Sequence, residues 1–215
     1  MGEIVSVNQS NIDQAITMAA KVLSEDKVIV FPTRAFYGLG ADAFSETAIK
    51  KVYGIKRRDH EKPLLILIAS IDELYPLVKC VPDCAKDLID KYWPGKITLV
   101  FHASGILPTR LTSGRGKIGI RLVEHPVARG IIMALGKPLT GTSANIAGEP
   151  PCSSIAGLNP KIVEQADMIL DCGRLEGDMA STVVDVTVTP PVILRAGASG
   201  DIHPQHIAIN SKAKT

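Results

Sequence analysis

Apolar runs of four to six residues recur along this chain, and stretches with helical spacing separate them. Val28–Phe31 is β-branched and stops at Pro32, Leu64–Ala69 is wholly apolar, and Ile97–Phe101 repeats the pattern. Between such runs, Ile12, Ala15, Ile16, Ala19 and Leu23 recur at helical intervals, as do Ala48, Ile49 and Val52 behind Ser45. Short buried strands alternating with amphipathic helices build a layered α/β structure.

The same reading gives the remaining elements. Strands are expected at Ile4–Val7, Ile118–Leu122, Leu139–Thr142, Met168–Leu170, Val183–Val188 and Val192–Leu194, the last two paired as a hairpin around Pro190-Pro191. Helices are expected at Asn11–Leu23, from a Ser45 cap to Ile55, after a Ser70/Glu73 capping box, at Asp83–Tyr92, Pro126–Leu135 and Lys161–Gln165. The Trp93-Pro94-Gly95 turn ends the Asp83 helix. The late strand pair and short crossovers favour a mixed sheet over a purely parallel one.

A length of 215 residues fits one domain or two fused lobes, and 46% hydrophobic residues with a mean hydropathy of +0.18 supply ample core. The longest apolar run, Leu64–Ala69, is far below the 18 or so residues that a membrane span needs. A net charge of +2 favours no partner. Cys80, Cys84, Cys152 and Cys172 form no Cys-x-x-Cys pair, and the i, i+4 spacing of the first two suits one helix face. Free buried thiols in a reducing cytoplasm follow. The first six residues lack the basic and apolar regions of a secretory signal. They fit the loose Met-Gly-x-x-x-Ser acylation pattern, but Ile4 and Val5 read as strand.

Three segments look chemical. Residues 32–43, Pro-Thr-Arg-Ala-Phe-Tyr-Gly-Leu-Gly-Ala-Asp-Ala, read as a loop leaving a buried strand, the usual place for ligands in α/β proteins. Gly38-x-Gly40-x-x-Ala43 fits the dinucleotide fingerprint poorly, because six residues intervene after the strand. From Lys50 to Lys62 there are six Lys/Arg and two Asp/Glu, an excess of 6 − 2 = +4. Most charge runs are solvated faces, but Lys56 and Arg58 alternate so that both can enter one cleft, and convergent cations hold phosphates. Residues 139–148, Leu-Thr-Gly-Thr-Ser-Ala-Asn-Ile-Ala-Gly, form a hydroxyl-rich turn. Gly141-Thr142-Ser143 approaches a nucleophile elbow, with Asp171 and His203 downstream, but Asn145 stands where its second glycine belongs. Arg121, Ser181-Thr182 and Arg195 lie at strand ends, so one rim can collect them all.

Taken in order, these segments resemble the YrdC/TsaC family of L-threonylcarbamoyladenylate synthases over roughly residues 10–197. The markers are Pro-Thr-x-x-x-Tyr-Gly-Leu at 32–39, Lys-x-Arg at 56–58 with Lys-Pro-Leu at 62–64, Trp-Pro-Gly at 93–95, Gly-Ile-Arg at 119–121 with His125-Pro126, Ser-Ala-Asn at 143–145 with Gly148, Ser-Thr-Val at 181–183, and Arg-x-Gly at 195–197.

The resemblance implies an open, twisted, mixed α/β sheet with flanking helices and a large basic concave cleft, formed by a YrdC-like domain over residues 1–200, with 201–215 as a tail. Longer relatives carry a C-terminal extension domain, and none is expected here. The implied reaction makes threonylcarbamoyl-AMP and pyrophosphate from L-threonine, bicarbonate or CO2, and ATP. Its product passes through threonylcarbamoyl-transferase complex proteins to N6 of adenosine 37 in tRNA. By motif, Lys56, Arg58, Ser143, Asn145 and Arg195 would hold ATP, with Lys117 at the cleft edge and Lys56 and Arg58 serving the chemistry. Thr33, Arg121, Ser181 and the backbone at Gly141 would hold threonine. Mg2+ would arrive with the triphosphate, no carboxylate cluster offering it a cage, and the protein would be cytoplasmic.

The sequence departs from the family at Thr33-Arg34-Ala35, where Thr-(Asp/Glu)-Thr is common, and at Leu67, where many relatives carry His. Both changes are expected to touch the threonine side. Other readings are an accessory protein binding tRNA or double-stranded RNA through the same basic cleft, and a sister enzyme for another carbamoyl-adenylate. Only 4% aromatic residues are present to stack bases, which disfavours single-strand recognition.

Overall fold

The structure, a computed structural model, describes residues 2–177, 179–197 and 208–209. In chain order its elements are β1 (Glu3–Ser6), α1 (Ile12–Ser24), β2 (Ile29–Pro32), β3 (Tyr37–Gly40), α2 (Glu46–Lys56), β4 (Leu65–Ile68), α3 (Leu74–Leu77), α4 (Asp83–Tyr92), β5 (Ile97–His102), α5 (Thr109–Thr112), β6 (Lys117–Leu122), α6 (Pro126–Leu135), β7 (Leu139–Ser143), α7 (Pro160–Gln165), β8 (Met168–Asp171), β9 (Thr182–Asp185), β10 (Val192–Arg195) and β11 (Ala208–Ile209). The strands form one open sheet in the order β1-β8-β2-β3-β7-β4-β6-β5-β9-β10-β11. It is mixed: β1/β8, β2/β8, β4/β6, β5/β9 and β10/β11 are parallel, and the other neighbours antiparallel. No helix of the described residues is long and apolar enough to cross a membrane.

The two faces of the sheet are covered unequally. On one face, Ala48, Ile49, Val52 and Tyr53 of α2, Ala85 and Ile89 of α4, and Ile162 of α7 pack over Ile66, Ile68, Ile97, Leu99, Ile118, Ile120 and Val184. Each such Val, Leu or Ile side chain contributes roughly 1.5–3 kcal/mol when buried. On the other face, Ala15, Ala19 and Leu23 of α1 and Val127, Ala128, Ile131 and Ile132 of α6 pack over Ile29, Phe31, Leu67, Leu139, Met168 and Leu170. Those two helices stop short of β5, β6 and β9. Successive side chains of a strand point to opposite faces. Ile118 and Ile120 therefore enter the core while Lys117, Gly119 and Arg121 look into open space.

The structure departs from the sequence reading at several points. Residues 37–40 are strand β3, hairpinned to β2, rather than loop. Gly38 and Gly40 disguised it, glycine being depleted in strands. Here the Phe31 ring lies across both, and a Cβ on Gly40 would fall 2.6 Å from it. Glu73 bonds back to Ala69 N–H (3.2 Å), but no side chain caps α3, a single turn that starts after Glu73. The strand expected to reach Val188 stops at Asp185, whose carboxylate accepts from Thr187 N–H and bends the chain away. Pro82 starts α4, leaving Cys80 outside the helix and exposed, while the other three thiols are half-buried; all four are free. Within the proposed tail, Ala208–Ile209 pairs with β10, and His203 lies outside the described residues.

Candidate functional site

The half of the sheet face that α1 and α6 leave bare is the floor of a cleft of about 1100 Å³. Thr98 and Val100 of β5, Lys117, Gly119 and Arg121 of β6, Gly141 and Ser143 of β7, and Val183 and Asp185 of β9 form that floor. The 33–36 turn with the start of β3 and the 58–64 connection form its walls. Ligand pockets run to roughly 1,000 Å³, so this one has room for two small molecules side by side. Among the described lining residues eight are basic (Arg34, Arg58, Lys62, Lys96, Arg115, Lys117, Arg121, Arg195) and two are acidic (Glu149, Asp185), a formal excess of 8 − 2 = +6.

The acid Asp185 is already committed. Burial alone would raise its carboxyl, but bonds from Thr187 and Lys117 outweigh burial and hold it below the usual carboxylate range. Lys117 donates to it at 2.9 Å. Arg34 pairs with Glu176 and Arg115 with Glu61, but Arg58, Arg195 and Arg121 have no ion pair among the described residues. Arg58 donates from Nε to Lys62 O and from Nη2 to Pro63 O, both at 3.0 Å, which aims its guanidinium. Arg195 donates from Nη2 to Ser181 O at 2.9 Å. Burial lowers the pKa of each, and the charge of Arg58 lowers that of Arg195 further. Arg121, on the cleft floor, has no hydrogen-bond or ion-pair partner among the described residues. Burial first, then the charges of Arg195 and Arg34, push its pKa down to about 10 against the weak pull of Glu124, so it stays charged at neutrality. The residue is half-buried overall. Its shielding comes from the cleft walls, and a charge so placed favours an anion of matching geometry.

Nine of the ten residues singled out in the sequence line this cleft: Thr33, Arg58, Lys117, Arg121, Gly141, Ser143, Asn145, Ser181 and Arg195. The tenth, Lys56, lies one layer beneath and is 2% exposed. Its ammonium donates to Ser143 O, to Asn145 O (2.8 Å) and to Asn145 Oδ1 (3.0 Å), which uses all three donors. Arg57 explains the split: it takes a left-handed conformation (φ 49°) that ends α2, so Lys56 still points inward and Arg58 turns out. Burial, then Arg58, push the Lys56 pKa down to about 8. Ser143 Oγ donates to Asn145 Oδ1, and Ala147 N–H donates to Lys56 O at 2.8 Å, so the 143–147 turn is locked onto the helix end.

Thr33 donates to Phe36 O, leaving its oxygen lone pairs to accept from a ligand. Ser181 Oγ and Thr98 Oγ1 share a bond of 2.9 Å. Thr98, Lys96 and Arg115 were missed in the sequence, although Thr98 alternates with Ile97 and Leu99 as a cleft-facing residue must. Of the two departures, Arg34 and Ala35 line the cleft and Leu67 does not. Leu67 is wholly buried behind Gly141, where a Cβ would meet its Cγ at 2.7 Å. The expectation that Leu67 touches the ligand is therefore corrected, because its side chain fills the second core.

A family model described as telomere recombination, for Sua5, YciO and YrdC proteins, matches residues 21–197. The chain is 36% identical over 194 residues to the threonylcarbamoyl-AMP synthase of Pyrococcus abyssi, covering 90% of this chain and 57% of that one. It is 35% identical over 189 residues to the synthase of Bacillus subtilis, covering 87% and 55%. It thus spans little more than half the length of these curated relatives. The solved structure of Pyrococcus abyssi Sua5 complexed with L-threonine superposes with a TM-score of 0.87 at 33% identity, over 98% of this chain and 62% of that one.

Proposed function

The chain belongs to the Sua5, YciO and YrdC family, and on that footing we propose that it makes L-threonylcarbamoyl-AMP and pyrophosphate from L-threonine, ATP and bicarbonate or CO2. The observation that carries this reading is the basic concavity, with Arg121 on its floor and no partner among the described residues. A relative that is a threonylcarbamoyl-AMP synthase and a Sua5 structure complexed with L-threonine support it.

In this reading Arg121 pairs with the amino-acid carboxylate. Thr33 Oγ, its own proton given to Phe36 O, accepts an N–H of the substrate amine and turns the nitrogen lone pair towards the carbon of CO2 or activated bicarbonate. The N–C bond forms; from CO2 the amine proton passes to solvent, and from bicarbonate it leaves with the displaced hydroxide as water. A carbamate oxygen then attacks the α-phosphorus as the bond to pyrophosphate breaks. Arg58 and Arg195 flank the phosphates, where fixed charges stabilise the transition state without reorganising. Lys56 holds the 143–147 turn that backs the nucleotide.

Mg2+, when bound, neutralises triphosphate charge. Of the two cleft carboxylates among the described residues, Asp185 is held by Lys117 and Thr187, so the phosphates would carry the ion, with Glu149 to assist. The product would pass, in the cytoplasm, to transferase-complex proteins acting on tRNA. A cleft that only held double-stranded RNA would not need an unpaired guanidinium on its floor, shielded by the cleft walls.

Protein, ATP, Mg2+, bicarbonate and labelled L-threonine are expected to release pyrophosphate and form a labelled adenylate. Release that ignores threonine, or none at all, rejects the reading. A pH prediction follows from Lys56. Above about pH 8 its ammonium becomes an amine with two N–H groups for three acceptors, so ATP binding is expected to weaken through that pH. Stability moves the other way. The unfolded chain keeps this proton up to about its ordinary value of 10.5, so from about 8 to 10.5 the unfolded state binds more protons and this group's contribution rises with pH. Calorimetric ATP titrations from pH 6.5 to 9 check it (range chosen to bracket the shifted value on the order of one unit either side); an affinity flat to pH 9 removes Lys56 from the argument.

A further inference from the structure

The connection from β8 to β9 contributes Met179, Ala180 and Ser181 to the cleft lining. Its start is tied down through the main chain, with Leu175 N–H donating to Ser153 O at 2.8 Å and Gly177 N–H to Ala35 O at 3.0 Å. Its end is held by Arg195 on Ser181 O. Between these anchors Arg34 reaches over from the 33–36 turn. Its Nη2 donates to Met179 O at 3.1 Å, and its Nη1 pairs with Glu176 Oε2 at 3.3 Å. Met179 itself is apolar and 55% exposed. Little packing holds such a side chain in a polar cleft, so its backbone decides where it stands.

We propose that Arg34 is a positioning residue that sets amino-acid selectivity, holding Met179 so that its thioether meets the β-substituent of the bound amino acid. The inference rests on the synthase reading above and adds to it the residue pair that distinguishes threonine from smaller β-hydroxy amino acids. Arg34 follows Thr33 and Met179 stands two residues before Ser181, and all four line the cleft, so the pair lies on the side that those two hydroxyls assign to the amino acid. One methyl against an apolar wall discriminates by roughly 10- to 200-fold, so a single well-held methionine is enough.

The test measures kcat/KM for pyrophosphate release with L-threonine and with L-serine, in the native chain and in R34E, R34K and M179A. The native chain is expected to prefer threonine. R34E, which loses the donor and opposes Glu176, should narrow the threonine-to-serine ratio by about tenfold, through KM, with kcat for threonine and the ATP Kd within about twofold. M179A should narrow it similarly without touching Arg34. R34K keeps the charge but not the fork that reaches Met179 O and Glu176 at once, so it should narrow the ratio less than R34E does. An unchanged ratio in R34E or in M179A overturns the inference. So does a joint loss of kcat, ATP binding and thermal stability in R34E while M179A keeps the native ratio, since that marks a purely structural role. A native chain that releases no pyrophosphate with either amino acid sinks the synthase reading itself, and this inference with it. That failure is told apart because it appears before any substitution.

Discussion

Replacing Arg121 by Met is expected to lower threonine-dependent pyrophosphate release by about 10²–10³-fold in kcat/KM while raising the stability of the fold. The first half follows from the loss of a charge pair with the substrate carboxylate in a shielded place, worth about 2–5 kcal/mol, at about 1.4 kcal/mol per tenfold. The second half follows from what Arg121 lacks. Among the described residues no acceptor or acid bonds to its guanidinium, and Arg195 and Arg34 repel it. Methionine keeps the length of the side chain and removes that repulsion. A gain of about 1–2 kcal/mol is expected, or about 2–8 °C in Tm for a chain of this size. Steady-state kinetics and thermal melting of the same preparation decide it. Full activity with threonine removes Arg121 from the site, and a fall in Tm shows that the charge is satisfied in the free protein.

Lys56→Met is expected to do the reverse to the fold. Methionine fills the space of the buried stem but leaves Asn145 O without a donor, while Ser143 O keeps Asn145 N–H and Asn145 Oδ1 keeps Ser143 Oγ. Leaving a buried neutral acceptor without its donor costs about 1–3 kcal/mol, which lowers Tm by about 2–12 °C. The 143–147 turn then loses its anchor, and ATP affinity falls with it. Arginine is not expected to rescue, because a planar fork does not fit a site that is 2% exposed and shaped for a tetrahedral ammonium. A Met variant that melts with the native chain yet loses ATP binding would make Lys56 a direct phosphate ligand instead of a support.

These two side chains also show how far the sequence could be read. The alternation Lys117-Ile118-Gly119-Ile120-Arg121 announces a strand with one apolar face, and Arg121 could be placed at its end without coordinates. Lys56 could not be placed. Spacing puts Lys56 and Arg58 beside the same helix end, but only the left-handed Arg57 decides which turns inward. Strand β3 was hidden for a different reason: its glycines lower strand propensity, and the Phe31 ring that compensates is supplied by the neighbouring strand. The convergence of the other site residues was legible as a set of strand ends. Its cause was not, because nothing local in α1 or α6 says how much of the sheet they will cover.

That unequal covering has a practical consequence. On β5, β6 and β9 most cleft-facing residues sit between two that hold the interior together, as Gly119 sits between Ile118 and Ile120. Recognition and folding are thereby written on alternate letters of the same short words. Selectivity can be re-engineered at every second position of these strands with little disturbance to the scaffold, and a shift of register by one residue would exchange the two roles at once.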